Sequence, residues 1–216
     1  MESKTISLSD ALYNIRKAHR LIYSYEECMI GLVKFISQKL GFGGQITSGK
    51  KLFSSPIEGE NYNEKLKLNK NELAAWDFIY TYAFEYYIGR IDYADGRCYG
   101  LSVLQYTDTG FYESRSNNKR DIDSFKAEKD SSSKLILFLE DADPKRPWIW
   151  DNEKVSFEDK SFVNLTEPKS FPIADGIQIV YPFYIEQFGN EEDATSCLNE
   201  FIEFCNKEGV GRLKLI

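Results

Sequence analysis

Six aromatic side chains alternate with other residues between Trp76 and Tyr86, at positions 76, 78, 80, 82, 84 and 86. A period of two places all six on one face of an extended strand, whereas a helix would scatter them around its axis. The intervening residues, among them Asp77 and Glu85, take the opposite face. The pattern therefore predicts a strand whose aromatic face is either covered by the rest of the chain or used as a binding surface.

A second long pattern runs from Leu8 to Leu40, where apolar residues recur at intervals of three and four. This spacing predicts one helix, with Ser7 as its N-cap and Gly41 at its end. Such a helix would span about 50 Å, which is more than one compact domain needs. We therefore expect it either to break near Ser24 or to project in part, as an overhanging end or as a helix that pairs with its own copy.

The remaining patterns predict a mainly antiparallel sheet and a second helix. Asp95-Gly96 predicts the turn of a hairpin, and the apolar stripe between Asn190 and Gly209 predicts a C-terminal helix. Further predictions are a small hairpin turning at Ser48–Lys50, the hairpin strands at 76–91 and 98–112, and a buried central strand at 134–139. Strands are also predicted at 161–165, at 177–186, where Pro182 either places the strand at an edge or splits it, and over Leu213–Ile216.

Together these elements predict an α+β fold, with an aromatic-rich sheet, a long N-terminal helix and a C-terminal helix. We expect one domain over residues 1–216, in which 1–41 form the long helix and 42–216 the sheet and second helix.

The charge and the cysteines narrow the class of protein. A formal net charge of −7 repels phosphate backbones, so we expect no nucleic-acid partner. The four cysteines are widely spaced, without metal-ligand spacing, and are expected to be buried thiols in a reducing compartment. The chain begins without a secretion signal, and no apolar stretch is long enough to span a membrane. We therefore expect a cytoplasmic protein that does not bind membranes.

One group of residues suggests catalysis. Glu140, Asp141, Asp143 and Lys145 come directly after the predicted strand at 134–139. Carboxylates and a lysine at a strand end can hold Mg²⁺ and activate water. The corresponding hypothesis is a metal-dependent hydrolase or nuclease, and Mg²⁺ is a cofactor only under this alternative. Pro144 interrupts the spacing, which favours an ordinary polar turn.

Other motifs are weaker. The segment from Gly44 to Lys51 resembles a phosphate-binding loop, but Lys51 stands where the hydroxyl residue should be. His19 is the single histidine and falls on the apolar stripe of the predicted helix, which argues against most nucleophile–histidine schemes. We therefore expect no bound cofactor and no metal.

The aromatic face and the long helix carry the main functional hypothesis. Tyr80, Tyr82 and Tyr86 are the candidate binding surface, if the aromatic face is open. The absence of a catalytic motif and the length of the helix favour a non-catalytic interaction or assembly module. It would act through the long helix and the sheet surface, with a protein partner or as a homo-oligomer such as a dimer.

Overall fold

The computed structural model of the protein describes residues 7–44, 46–51, 83–110, 125–142, 164–173 and 176–216. Within these ranges the fold is α+β, as predicted. The helices are α1 (Leu8–Lys39) and α2 (Glu191–Lys207), with short 3₁₀ helices at Glu128–Asp130 and Ile185–Phe188. The strands are β1 (Ser48–Lys51), β2 (Ala83–Asp92), β3 (Cys98–Tyr106), β4 (Lys134–Ala142), β5 (Lys169–Ile173) and β6 (Gly176–Tyr184).

The strands form one sheet in the order β1-β2-β3-β4-β6-β5, and every neighbouring pair is antiparallel. The predicted hairpin is confirmed between β2 and β3. Its turn is closed by a 2.8 Å hydrogen bond from the Tyr93 amide to the Arg97 carbonyl. Gly96 has φ +85° there, a conformation that residues with a Cβ atom rarely adopt.

Both helices contribute to one hydrophobic core on a single face of the sheet. From α1 the core takes Met29, Val33, Ile36 and Leu40, and from the sheet alternate apolar residues of β2, β3, β4 and β6. The opposite face is buried as well along the central strands, since all nine positions of β3 are buried. Neither face of β3 is therefore exposed for the predicted binding role of the sheet surface.

The predicted alternation of the aromatic strand is confirmed where the structure describes it. Phe84 and Tyr86 lie on the helix-covered face, with their ring centroids 4.8 Å apart, and belong to the core or pack against it. Glu85, between them, forms its hydrogen bond with Ser102 instead. The other aromatic positions, from Trp76 to Tyr82, lie outside the described residues.

Two local predictions are wrong. Ser48–Lys50 was predicted as a turn, but Ser48–Lys51 is an edge strand, which pairs from Ser48 with Tyr87 to Lys51 with Phe84. Leu213–Ile216 was predicted as a strand, but it forms no ladder. Instead the Ile216 amide donates a 2.9 Å hydrogen bond to the Lys39 carbonyl, so this segment satisfies the C-terminal end of α1.

The last strands differ from the prediction in position. β6 is an interior strand, because β5, which the sequence patterns did not predict, pairs along its outer side. This pairing extends only to Val180, so among the residues that the structure describes the strand partner of Pro182 is Ile136 of β4. Proline has no amide hydrogen and is tolerated where one side of a strand is free. Near 161–165, only residues 164 and 165 are described, and neither belongs to a strand.

Candidate functional site

Helix α1 has two halves in different environments. Residues 8–24, which we call the arm, are exposed to solvent except for Ala11, which is half-buried. From Met29 onward the helix is packed on the sheet, with Val33 and Ile36 fully buried. The helix is unbroken, so the predicted projection is present and the predicted break near Ser24 is not. At 1.5 Å per residue the arm extends about 25 Å beyond the packed half.

The arm is unusual in its exposed apolar surface. Ten large hydrophobic side chains are exposed among the described residues, and eight of them lie on α1. These eight are Leu8, Leu12, Tyr13, Ile15, Leu21, Ile22, Tyr23 and Ile30. Single exposed apolar residues are common on protein surfaces, whereas here most of those described are concentrated on one helix.

One stripe along α1 and its C-cap has ten positions separated alternately by four and three residues, and eight of the ten are apolar. The positions are Leu8, Leu12, Ile15, His19, Ile22, Glu26, Met29, Val33, Ile36 and Leu40, and we call this stripe the seam. Its last four members are 0–2% exposed against the core, while Leu8, Leu12, Ile15 and Ile22 are 44–76% exposed. A period of 3.5 residues is the pattern of a coiled coil. The arm thus continues, in solvent, the same stripe that the packed half buries.

Local contacts support the helical conformation of the arm. Ser7 caps it, accepting a 3.1 Å hydrogen bond from the Asp10 amide. Tyr23 donates to Glu27 at 3.0 Å one turn later, and this hydrogen bond raises the pKa of the Tyr23 hydroxyl. Both contacts favour the helical conformation of the arm.

A polar cluster marks the point where α1 leaves the sheet. Glu26 accepts a 3.0 Å hydrogen bond from the Gln105 side-chain amide. The Tyr86 hydroxyl donates its proton to the Gln105 carbonyl oxygen at 2.7 Å, and its oxygen lies 3.4 Å from the Glu26 carboxylate. Burial raises the pKa of the Glu26 carboxyl, against the effect of these hydrogen bonds. The cluster fixes the direction of the arm relative to strands β2 and β3.

The charge of the arm is opposite to that of the whole chain. Residues 8–24 contain Arg16, Lys17 and Arg20 but only one acidic residue, Asp10. The Lys17 ammonium lies 5.2 Å from the centre of the Tyr13 ring, on a side of the helix away from the seam. These cations lie outside the seam positions, so the seam itself is mainly apolar.

Of the predicted aromatic binding surface, the structure describes Tyr86. Tyr86 is 5% exposed, and its ring packs in the core beneath α1. Its hydroxyl takes part in the polar cluster with Glu26 rather than facing an open cleft. Tyr80 and Tyr82 lie outside the described residues.

The structure describes two of the four candidate catalytic residues, Glu140 and Asp141. Glu140 and Asp141 belong to β4 itself, because the strand extends to Ala142 rather than ending at 139. Glu140 accepts a 3.0 Å hydrogen bond from Gln178, whereas Asp141 pairs with Arg97. Consecutive strand residues point to opposite faces, so one ion would not contact both carboxylates.

Asp143 and Lys145 lie outside the described residues. Among the described residues, no three His, Cys, Asp or Glu side chains come together in an arrangement that could hold a metal ion. His19 is exposed on the arm.

The structure also reveals buried polar groups that the sequence patterns did not single out. On the face opposite the helices, Ser102 donates a 3.0 Å hydrogen bond to Glu85, which is 3% exposed. Nearby, burial raises the pKa of the Tyr87 hydroxyl, and Arg90 opposes that shift. The one signal in the sequence is that Glu85 and Gln178 interrupt otherwise apolar or aromatic strands.

A protein-family model matches most of the chain. The PM0109 family model matches residues 5–211, which include the arm, the sheet and both helices. The chain belongs to the PM0109 family. No curated protein matches it, and neither does any solved structure. The PM0109 match thus covers the arm and the polar cluster as one unit with the sheet. No helix among the described residues has the length and apolar character needed to cross a membrane.

Proposed function

We propose that this PM0109 family chain is a non-catalytic assembly module whose binding element is the arm, residues 8–24. The observation that carries the proposal is the seam, which is buried on the sheet from Met29 onward and exposed from Leu8 to Ile22. In a coiled coil the residues of such a stripe, at the a and d positions, insert between the side chains of a facing helix. The exposed part of the seam can bind a helical partner in this way. The sheet serves as a rigid base that holds the arm, and the partner is a helical protein.

The polar cluster at the base of the arm supports binding rather than a passive overhang. The polar cluster at Glu26 ties the base of the arm to the sheet, so the arm is presented in a fixed direction. A preordered binding element loses less conformational entropy on association. The metal-dependent hydrolase remains a prediction from the sequence alone.

Site-specific photocrosslinking in the native host tests this proposal. A photoreactive amino acid is placed at Leu12, inside the seam, or at Leu21, which is 69% exposed on another side of the same helix. We expect position 12 to give discrete protein adducts and position 21 to give few. Equal labelling at both positions, or no adduct at either, would contradict a seam-mediated assembly.

A further inference from the structure

The arginines of the arm differ from the other described arginines in having no acidic partner. Of the five arginines in the described part of the chain, three pair with an aspartate, and these are Arg90, Arg97 and Arg212. The other two, Arg16 and Arg20, are exposed and form no ion pair with any described residue. A guanidinium binds a carboxylate through two parallel hydrogen bonds. These two arginines can therefore bind carboxylates of another molecule.

Both arginines lie on the same side of the seam. Counted at about 100° per residue, Arg16 and Arg20 stand about 80° and 120° around the helix from the middle of its exposed part. On the other side, Ala11 and Ala18 stand about 60° and 80° from it and carry no charge. Lys17 lies about 180° away, out of reach of a helix that covers the seam. Such a helix therefore meets two cations along one edge and none along the other.

The one-sided charge favours a helical partner over a lipid surface. A flat bilayer meets both edges of an amphipathic helix alike, and helices that lie on bilayers are rich in Lys and Arg across the whole polar face. The seam has the 3.5-residue repeat of two helices wound around each other. In addition, the net charge of the whole chain is −7, so an anionic bilayer would repel the sheet behind the arm.

We infer that the arm binds a helix of another protein that presents Glu or Asp side chains to Arg16 and Arg20. Apolar residues of that helix pack on the exposed part of the seam, and its carboxylates pair with the two guanidinium groups. Charged pairs beside an apolar seam ordinarily select the partner of a coiled coil. A second copy of the arm supplies no such carboxylate, because Asp10 lies on the side away from the seam. This inference rests on the proposed function and adds to it the charge of the partner.

Two designed peptides test the charge of the partner with the purified full chain. Both are heptad helices with Leu at the a and d positions, and one carries Glu at e and g where the other carries Lys. The fluorescence anisotropy of a label on each peptide measures its binding. We expect the Glu peptide to bind at least about tenfold more tightly than the Lys peptide, and its affinity to fall as salt is added. Equal affinities, or no binding of either peptide, overturn the inference.

Charge reversals on adjacent residues of the arm give a matched pair of variants. Arg16→Glu acts beside the seam, and we expect it to weaken binding of the Glu peptide about fivefold or more, because a repulsion replaces an attraction. Lys17→Glu makes the same change on the far side and should shift the affinity by less than about twofold. Reversing both Arg16 and Arg20 to Glu should make the arm prefer the Lys peptide, a gain that misfolding cannot produce. Equal losses in Arg16→Glu and Lys17→Glu overturn the inference.

Vesicles test the lipid surface directly. The full chain is sedimented with vesicles of phosphatidylcholine and phosphatidylserine in equal amounts, and we expect it to stay in the supernatant. Sedimentation with these vesicles that Arg16→Glu abolishes overturns the inference in favour of an anionic membrane.

The two proposals fail in different ways. If the variant with Glu at both arginine positions still gives the wild-type adducts at position 12 in the native host, the assembly function stands and only the charge of the partner is wrong. Loss of those adducts in this variant, but not in Lys17→Glu, supports an acidic partner. If the wild type gives no adduct at position 12 and binds neither peptide, the assembly function fails as well.

Discussion

The side-chain amide of Gln105, in β3, donates a 3.0 Å hydrogen bond to the carboxylate of Glu26, in α1. This contact lies between the packed half of the helix and the arm, so it connects the base of the arm to the centre of the sheet. Glu26 occupies a seam position where an apolar residue would be expected from the repeat. A half-buried carboxylate there makes the anchoring of the arm sensitive to pH.

Glu26→Gln should therefore reduce the pH dependence of stability. The pKa of Glu26 is raised by burial from its reference of 4.5, so the folded state favours the protonated form. The corresponding stability is present below the pKa of the unfolded chain and is lost as the pH rises through the folded-state pKa. Urea unfolding should show Glu26→Gln as more stable than the wild type at pH 7, with the difference shrinking toward pH 4.

Glu27→Gln is the control for this experiment. Its carboxylate is exposed on the next position of the same helix, where it accepts from Tyr23. We expect its stability profile to follow the wild type across the same range. A Glu26→Gln variant that loses stability at pH 7 relative to pH 4 would show that the carboxylate, once ionised, helps to hold the helix.

Two glycine substitutions should change stability in opposite directions. Gly31 lies inside α1, and a Cβ atom there meets nothing within 4 Å, so Gly31→Ala should stabilise the fold by about 0.5–1 kcal/mol through helix propensity. Gly41, after the helix, has φ +84°, and its Cβ would lie 3.0 Å from the Ile216 side chain. Gly41→Ala should cost about 1–2 kcal/mol, mainly from the left-handed conformation.

Thermal unfolding of both variants at one protein concentration measures the two shifts. A loss of stability in Gly31→Ala would mean that the solvent side of α1 contacts something in solution at that position. No change in Gly41→Ala would mean that the end of the helix relaxes out of the left-handed conformation.

The helices could be predicted because their signals are local. Ser7, Gly41 and the regular apolar spacing of α1 specify its ends and its face without reference to the rest of the chain. The length of the helix predicted either a projection or a break near Ser24, and only the structure decides between them. The burial of the packed half, by contrast, depends on the sheet, and no local pattern in α1 distinguishes Ile15, half exposed, from Ile36, fully buried.

The wrong predictions depend on long-range pairing. Ser48–Lys51 has the composition of a turn, and it becomes a strand because β2 offers it an edge more than thirty residues later in the chain. Glu140 and Asp141 were read as lying beyond a strand because charged residues ordinarily mark its end. They are accommodated inside β4 because Gln178 of β6 and Arg97 of the turn between β2 and β3 supply hydrogen-bond donors.

Arg97→Ala should be more destabilising than the loss of an exposed ion pair. Its guanidinium pairs with Asp141, whose side chain is 4% exposed, so the substitution leaves a buried carboxylate without its cation. We expect a cost on the order of 1–3 kcal/mol in urea unfolding at pH 7. Glu191→Gln is the control, since the Glu191 side chain is 74% exposed and its 3.4 Å pair with Lys39 should contribute at most about 1 kcal/mol. Equal costs for the two variants would show that water hydrates Asp141 in solution.

The four cysteines should differ sharply in reactivity, against the expectation that all four are buried. Cys28 is exposed on α1, whereas burial raises the pKa of Cys98 and of Cys197 to about 11 and also raises that of Cys205. At pH 8 a thiol with a pKa of about 11 is ionised in roughly one molecule in a thousand, and the thiolate is the reactive form. An aromatic disulfide reagent should therefore modify one thiol rapidly in the native protein and the other three only after unfolding. Cys28→Ser should abolish the rapid phase, and a second rapid equivalent would mean that one of the buried thiols is reached by local opening of the core.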